Sequence, residues 1–116
     1  GTQRLVRAVG KFHAMRMVMT GQAVSGREAL AMGLASECVA DAEVQSRAAE
    51  LAKTIAAMPP LAIAQIKEVI LAGQDASLEA ALALERKAFQ ILFSSEDQKE
   101  GMRAFLEKRK PDYKGR

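Results

Sequence analysis

Tryptophan is absent from this sequence, tyrosine occurs once, and the four phenylalanines bring aromatic residues to only 4% of the 116 positions. Sheet sandwiches draw on aromatic and β-branched side chains, so this scarcity favours packed helices. The single cysteine, Cys38, excludes an intramolecular disulfide and fits a reducing compartment. One cysteine and one histidine, His13, cannot supply the four Cys or His ligands of a structural zinc site, so no metal site is expected. Glycine-rich loops of the P-loop or dinucleotide type are missing too. No apolar run approaches the ~18 residues of a membrane span, and no signal peptide is visible. A cytoplasmic location without membrane contact is therefore the expectation.

What is present is an apolar fraction of 49%, carried mostly by Ala, Leu, Val, Ile and Met. A chain of this length can remove roughly two thirds of its unfolded surface from water. The formal charge is +3, and its excess lies at the two ends: Arg4, Arg7, Lys11 and Arg16, then Lys108, Arg109, Lys110, Lys114 and Arg116. That distribution suits an anionic partner. Aromatic and basic residues are not interleaved as base stacking requires, so nucleic acid is not expected.

Helix signals run through the whole chain. Thr2 is a cap for a short helix with Leu5, Val6 and Val9 on one side, and Gly10 is its stop. Phe12, Met15 and Met19 recur at helical steps in Lys11 to Met19 and read as a core stripe, broken by Thr20-Gly21. Ser25 to Glu28 fits a capping box for a helix that ends at Gly33. Leu34 to Val39 alternates apolar and polar residues and reads as one short extended segment, with Cys38 a small buried hydrophobe. Asp41 is the expected N-cap of the next helix, which buries Val44, Ala48, Leu51, Ala52 and Ile55 and stops at Met58-Pro59-Pro60. Pro60 opens a helix through Ile63, Ile66 and Ile70 to Gly73, since proline at a first helical position lacks only an N–H that has no partner there. Ser77 caps the longest helix, with Leu78, Leu82, Phe89 and Leu92 in its stripe and Glu85 at the stripe's edge, reaching solvent. Ser95 to Gln98 is a second capping box, Met102, Phe105 and Leu106 point one way, and Pro111 ends the register.

The chemistry readable from these residues is sparse. A Cys38–His13 nucleophile pair can be drawn, but no local pattern brings the two together. The basic run Lys108-Arg109-Lys110 follows a helix end, where cations meet the negative pole of the helix dipole. It serves either as that ordinary termination or as an anion contact.

Four blocks point further: GTQRLVRAVG, MVMTGQAVSGREALAMGLAS, MPPLAIAQIKEVI and SSEDQKEGMRAFLEKRKPDYKGR. Together they resemble, in order and over essentially the whole chain, the C-terminal part of an enoyl-CoA hydratase of the crotonase family. The resemblance implies a mainly α fold, an orthogonal helical bundle corresponding to the C-terminal trimerisation region, with at most one short extended segment. Residues 1–40 would be the tail of the crotonase core and residues 41–116 the helical oligomerisation region, forming a trimer or a dimer of trimers. The implied parent is a lyase of fatty acid metabolism that adds water to trans-2-enoyl-CoA and needs no cofactor, CoA thioester being the substrate. Its two catalytic glutamates and its oxyanion hole are expected before Gly1, in a missing N-terminal part of the same enzyme. No catalytic residue is therefore assigned here. Two positions carry over as CoA contacts: Phe89, against the adenine region, and Lys108, approaching the phosphates from a neighbouring subunit. The chain would supply oligomer contacts and part of the CoA-binding rim. A helical assembly module without catalysis, or part of an enoyl-CoA isomerase or another CoA-thioester enzyme of the family, are the alternatives.

Overall fold

A computed structural model describes residues 1–116 as six α-helices and one 3-10 turn, without a β-strand. The chain divides into two units, Gly1–Gln45 and Ser46–Arg116. No helix is long and apolar enough to cross a membrane.

In the first unit, α1 (Arg4–Thr20) bends at Gly10, whose φ of 75° and ψ of 165° lie outside the helical region. Gly10 thus interrupts the helix as its sequence suggests, yet the chain resumes helical geometry at the next residue. The expected cap at Thr2 is not formed. Gln3 occupies that position without a side-chain bond, because the Leu5 N–H is already taken by the Gly1 carbonyl at 3.2 Å. α2 (Gly26–Ala31) begins with the full capping box: the Ser25 N–H donates to Glu28 Oε2 at 2.7 Å and the Glu28 N–H returns to Ser25 Oγ at 3.3 Å. The Ser25 N–H, with the Ser25 hydroxyl, holds the Glu28 carboxyl below its ordinary value. Leu34 to Val39, expected to be extended, forms no strand. No strand exists for it to pair with, so its alternation has no ladder to join. Cys38 is exposed rather than buried; its sulfur lies beside Gly26, where an added Cβ would come within 3.1 Å of it.

Asp41 does not cap a helix. Asp41–Glu43 is itself a 3-10 turn, capped by Ala40 without a side-chain bond, and α3 (Val44–Ala56) continues from it. In the second unit, the Met58-Pro59-Pro60 stop holds: Pro59 caps α4 (Pro60–Gly73) with Pro60 at its first position. The chain turns through 108° between α3 and α4. α4 packs most extensively against α5 (Leu78–Phe93), which Ser77 caps through the Ala80 N–H at 3.3 Å. Small residues set that approach, since a Cβ on Gly73 would lie 3.2 Å from the Ala81 Cβ. α6 (Glu96–Leu106) packs on α5. Its Ser95 cap is half a box: Ser95 Oγ accepts from the Gln98 N–H at 3.1 Å, but the Ser95 N–H is already committed to the Leu92 carbonyl at 3.1 Å, leaving the Gln98 side chain no donor to return to.

The apolar stripes are correctly periodic and largely uncovered. The buried apolar residues are Val9, Ala14, Ala88 and Ala104. Phe12 is 78% exposed, and Met15 and Met19 are exposed beside it, so this stripe is not core within the chain. The same holds for Val44, Leu51 and Ile55 on α3, Ile66 and Ile70 on α4, Leu78 and Leu82 on α5, and Met102, Phe105 and Leu106 on α6. Periodicity reports which face of a helix is apolar and not what covers it. The accessible area is 9379 Å², whereas two separate globules of these two lengths would expose about 7,400 Å².

Candidate functional site

The last twenty residues of the second unit contain its most elaborate polar structure. At the start of α6 the closing residues fold back and exchange hydrogen bonds with the helix terminus. The N–H groups of Glu96 and Asp97 donate to the Arg116 carbonyl at 2.7 and 3.1 Å, satisfying donors that every helix start leaves open. In return the Asp97 carboxylate accepts from the Lys114 N–H at 2.6 Å and the Gly115 N–H at 2.8 Å. Asp97 is only 3% exposed, which these bonds and the positive helix end make tolerable. Gly115 has a φ of 75°, a left-handed conformation that glycine adopts without a Cβ penalty.

At the other end α6 closes in a Schellman motif. Arg109 N–H donates to the Ala104 carbonyl at 3.0 Å and Lys108 N–H to the Phe105 carbonyl at 3.2 Å. The first residue beyond the C-cap of such a motif is left-handed, and here it is Lys108, the one non-glycine residue with positive φ, at 54°. A lysine in that conformation costs about 1 kcal/mol relative to glycine. Next to it, Arg109 grips both oxygens of Glu100 at 2.6 and 3.0 Å, donates from Nε to Glu107 and reaches the Lys110 carbonyl at 3.1 Å. The Asp112 N–H adds a bond to Glu100 at 2.9 Å. Arg109, with the Asp112 N–H, therefore holds the Glu100 carboxyl far below its usual range, at about 2, and Glu100 in turn raises Arg109. Gly101 leaves room for the returning tail: a Cβ there would sit 3.3 Å from the Tyr113 hydroxyl.

Phe89 lies on α5, 59% exposed, with its ring tilted 49° against Phe93 at a 5.1 Å centroid distance. It borders a groove of about 300 Å³ between α4 and α5, together with Ile66, Ile70 and Glu85. No ring or cation–π contact joins Phe89 to Lys108; the cation–π pair in the chain is Lys11 over Phe12, at 5.0 Å. His13 lines a cavity of about 200 Å³ with Arg16, Gln22 and Glu28, and Cys38 is not among its walls. The drawn Cys38–His13 pair has no shared site there.

The model of the enoyl-CoA hydratase/isomerase family matches residues 1–116. This chain belongs to the enoyl-CoA hydratase/isomerase family. It is 41% identical over 116 residues to the 2,3-dehydroadipyl-CoA hydratase of Escherichia coli, covering 100% of this chain and 46% of that protein. It is 46% identical to a probable enoyl-CoA hydratase of Bacillus subtilis, covering 99% of this chain and 45% of that protein. Among solved structures, the enoyl-CoA hydratase of Bacillus anthracis superposes with a TM-score of 0.96 at 36% identity, over 99% of this chain and 45% of that one. The chain thus spans a little under half the length of these relatives, and the match is to their helical part.

Asp97 and Glu100 were not singled out by the sequence, and Arg109, nine positions beyond Glu100, entered only as part of the basic run Lys108-Arg109-Lys110, read as a helix termination or an anion contact. Only the reversal of the chain after Lys108 brings Glu100 and Arg109 together.

Proposed function

We propose that this chain is the C-terminal helical part of an enoyl-CoA hydratase that adds water to trans-2-enoyl-CoA to give 3-hydroxyacyl-CoA, a cytoplasmic lyase reaction of fatty acid metabolism needing no cofactor. In this reading the chain contributes part of the CoA-binding rim and the contacts of a trimer or a dimer of trimers. The observation that carries the rim is Lys108. Its backbone holds a conformation that disfavours a side chain, and its ammonium has no partner within the chain, whereas Arg109, Lys114 and Arg116 are each paired with a carboxylate. Strain of this kind is retained where the side chain has work to do. An ammonium suits the phosphates of CoA and an exposed aromatic ring suits its adenine, which is the role proposed for Phe89.

Catalysis is assigned to groups outside this chain. Hydration needs carboxylates to move protons and preorganised donors for the thioester oxyanion, and the buried carboxylate here, Asp97, is consumed by the tail. Uncovered apolar faces support the oligomer. The area exceeding that of two separate globules, about 2,000 Å², is on the scale of an obligate interface.

A chimera tests the reading: this chain joined behind the corresponding N-terminal part of the Bacillus subtilis relative should hydrate a short trans-2-enoyl-CoA, read as loss of enoyl absorbance. The isolated chain should leave that absorbance unchanged. A folded chimera that fails to hydrate the enoyl-CoA overturns the reading of this chain as the helical part of a hydratase. Lys108→Gln in the active chimera should weaken CoA-ester binding by about 0.5 to 1.5 kcal/mol, with a smaller salt dependence.

A further inference from the structure

We infer that Glu100 and Arg109 are positioning residues, an ion-paired latch that holds Lys108 in its left-handed backbone conformation so that its ammonium is presented to a phosphate-bearing ligand. The inference rests on the rim reading of Lys108 proposed above.

Lys108 stands directly beyond the C-cap of α6. Its own N–H and that of Arg109 close the Schellman motif, which fixes the backbone but would be better served by glycine. The chain beyond it is then tied to α6 by one carboxylate. Glu100 binds the guanidinium of Arg109 through both oxygens and also accepts the Asp112 N–H. Glu107, on the other side of Lys108, accepts from Arg109 Nε. Both neighbours of Lys108 are therefore committed to the same network, and its side chain is left out of it. Lys110 also has an unpaired ammonium, but its carbonyl, not its backbone conformation, is what Arg109 fixes. A bidentate pair sets the direction of both partners, whereas a single contact would leave the turn free to rotate. The latch also neutralises Arg109, so the positive charge offered at the turn is that of the lysines.

The test uses the chimera described above with adenosine 3′,5′-bisphosphate as the probe, followed by the NMR signals of the Lys108 ammonium and amide. Wild type should bind, and Lys108→Gln should weaken binding about three- to tenfold. Glu100→Gln should weaken it by a similar factor while α6 keeps its helical circular dichroism, and should lower the exchange protection of the Lys108 and Arg109 amides. Adding Lys108→Gln to Glu100→Gln should cost nothing further, because the latch acts only through that lysine. The swapped pair Glu100→Arg with Arg109→Glu should recover most of the binding. No binding by wild type at millimolar probe, or no effect of Lys108→Gln, overturns the rim reading itself. A loss with Lys108→Gln but none with Glu100→Gln, or losses that simply multiply in the double variant, overturns the latch alone.

Discussion

The α4–α5 hairpin and the α6 clasp belong to the same unit and are built on opposite principles. The hairpin packs through small residues, Gly73 against Ala81 and the buried Ala88, and leaves its large side chains, Ile66, Ile70, Phe89 and Phe93, facing outward. The clasp closes through polar groups, while the Met102, Phe105 and Leu106 face of α6 beside it stays exposed. It is held by charge-assisted bonds to Asp97 and Glu100 that close on residues of the same chain. The difference teaches which part is self-sufficient: the clasp has satisfied its groups locally, while the hairpin offers a surface that still has apolar area to bury.

The sharpest way to break this contrast is at Asp97. Asp97→Ala should destabilise the chain by about 2 to 3 kcal/mol in urea unfolding, since it strands the Lys114 and Gly115 N–H groups and removes a buried acceptor. A loss below about 0.5 kcal/mol would mean the clasp contributes little. Gly115→Ala should cost about 1 kcal/mol, because alanine resists a φ of 75°, and should speed amide exchange at Glu96 and Asp97.

Lys108→Gly should move the other way, raising stability by roughly 0.5 to 1 kcal/mol as the left-handed position is relieved, offset in part by the freer unfolded chain. The same substitution should abolish the ammonium's contribution to probe binding. Acid should weaken the clasp in a defined window. The Glu100 carboxyl sits at about 2 against an ordinary 4.5, so its contribution is present above about 4.5 and is lost as pH falls toward 2. Thermal melts of wild type should therefore fall in that range more steeply than those of Glu100→Gln. Smallest of all should be the effect of Ile70→Ser on unfolding of the isolated chain, within about 0.5 kcal/mol, as its side chain is exposed. Sedimentation should show that variant associating less than wild type, and equal association would count against the α4–α5 face as an interface.

Much of this molecule was legible in the order of its residues. Ser25 with Glu28, Ser77, Pro60 and Gly10 mark helix boundaries through local backbone chemistry, and each acts where its type suggests. Misreadings arose where a local signal met a competitor, as when the Leu92 carbonyl took the N–H that the Ser95 box required, or where Leu34 to Val39 lacked a partner strand. Family membership was carried by motifs whose spelling survives without the fold.

The sequence by itself determined the helices, their apolar faces and the family, because helical periodicity, capping and motif identity are properties of neighbouring residues. Only the tertiary structure decided that the faces are uncovered, that Asp97 is a buried clamp and that Glu100 meets Arg109. Those facts depend on where the chain reverses after Lys108, and a reversal brings together residues whose separation along the sequence carries no sign of it.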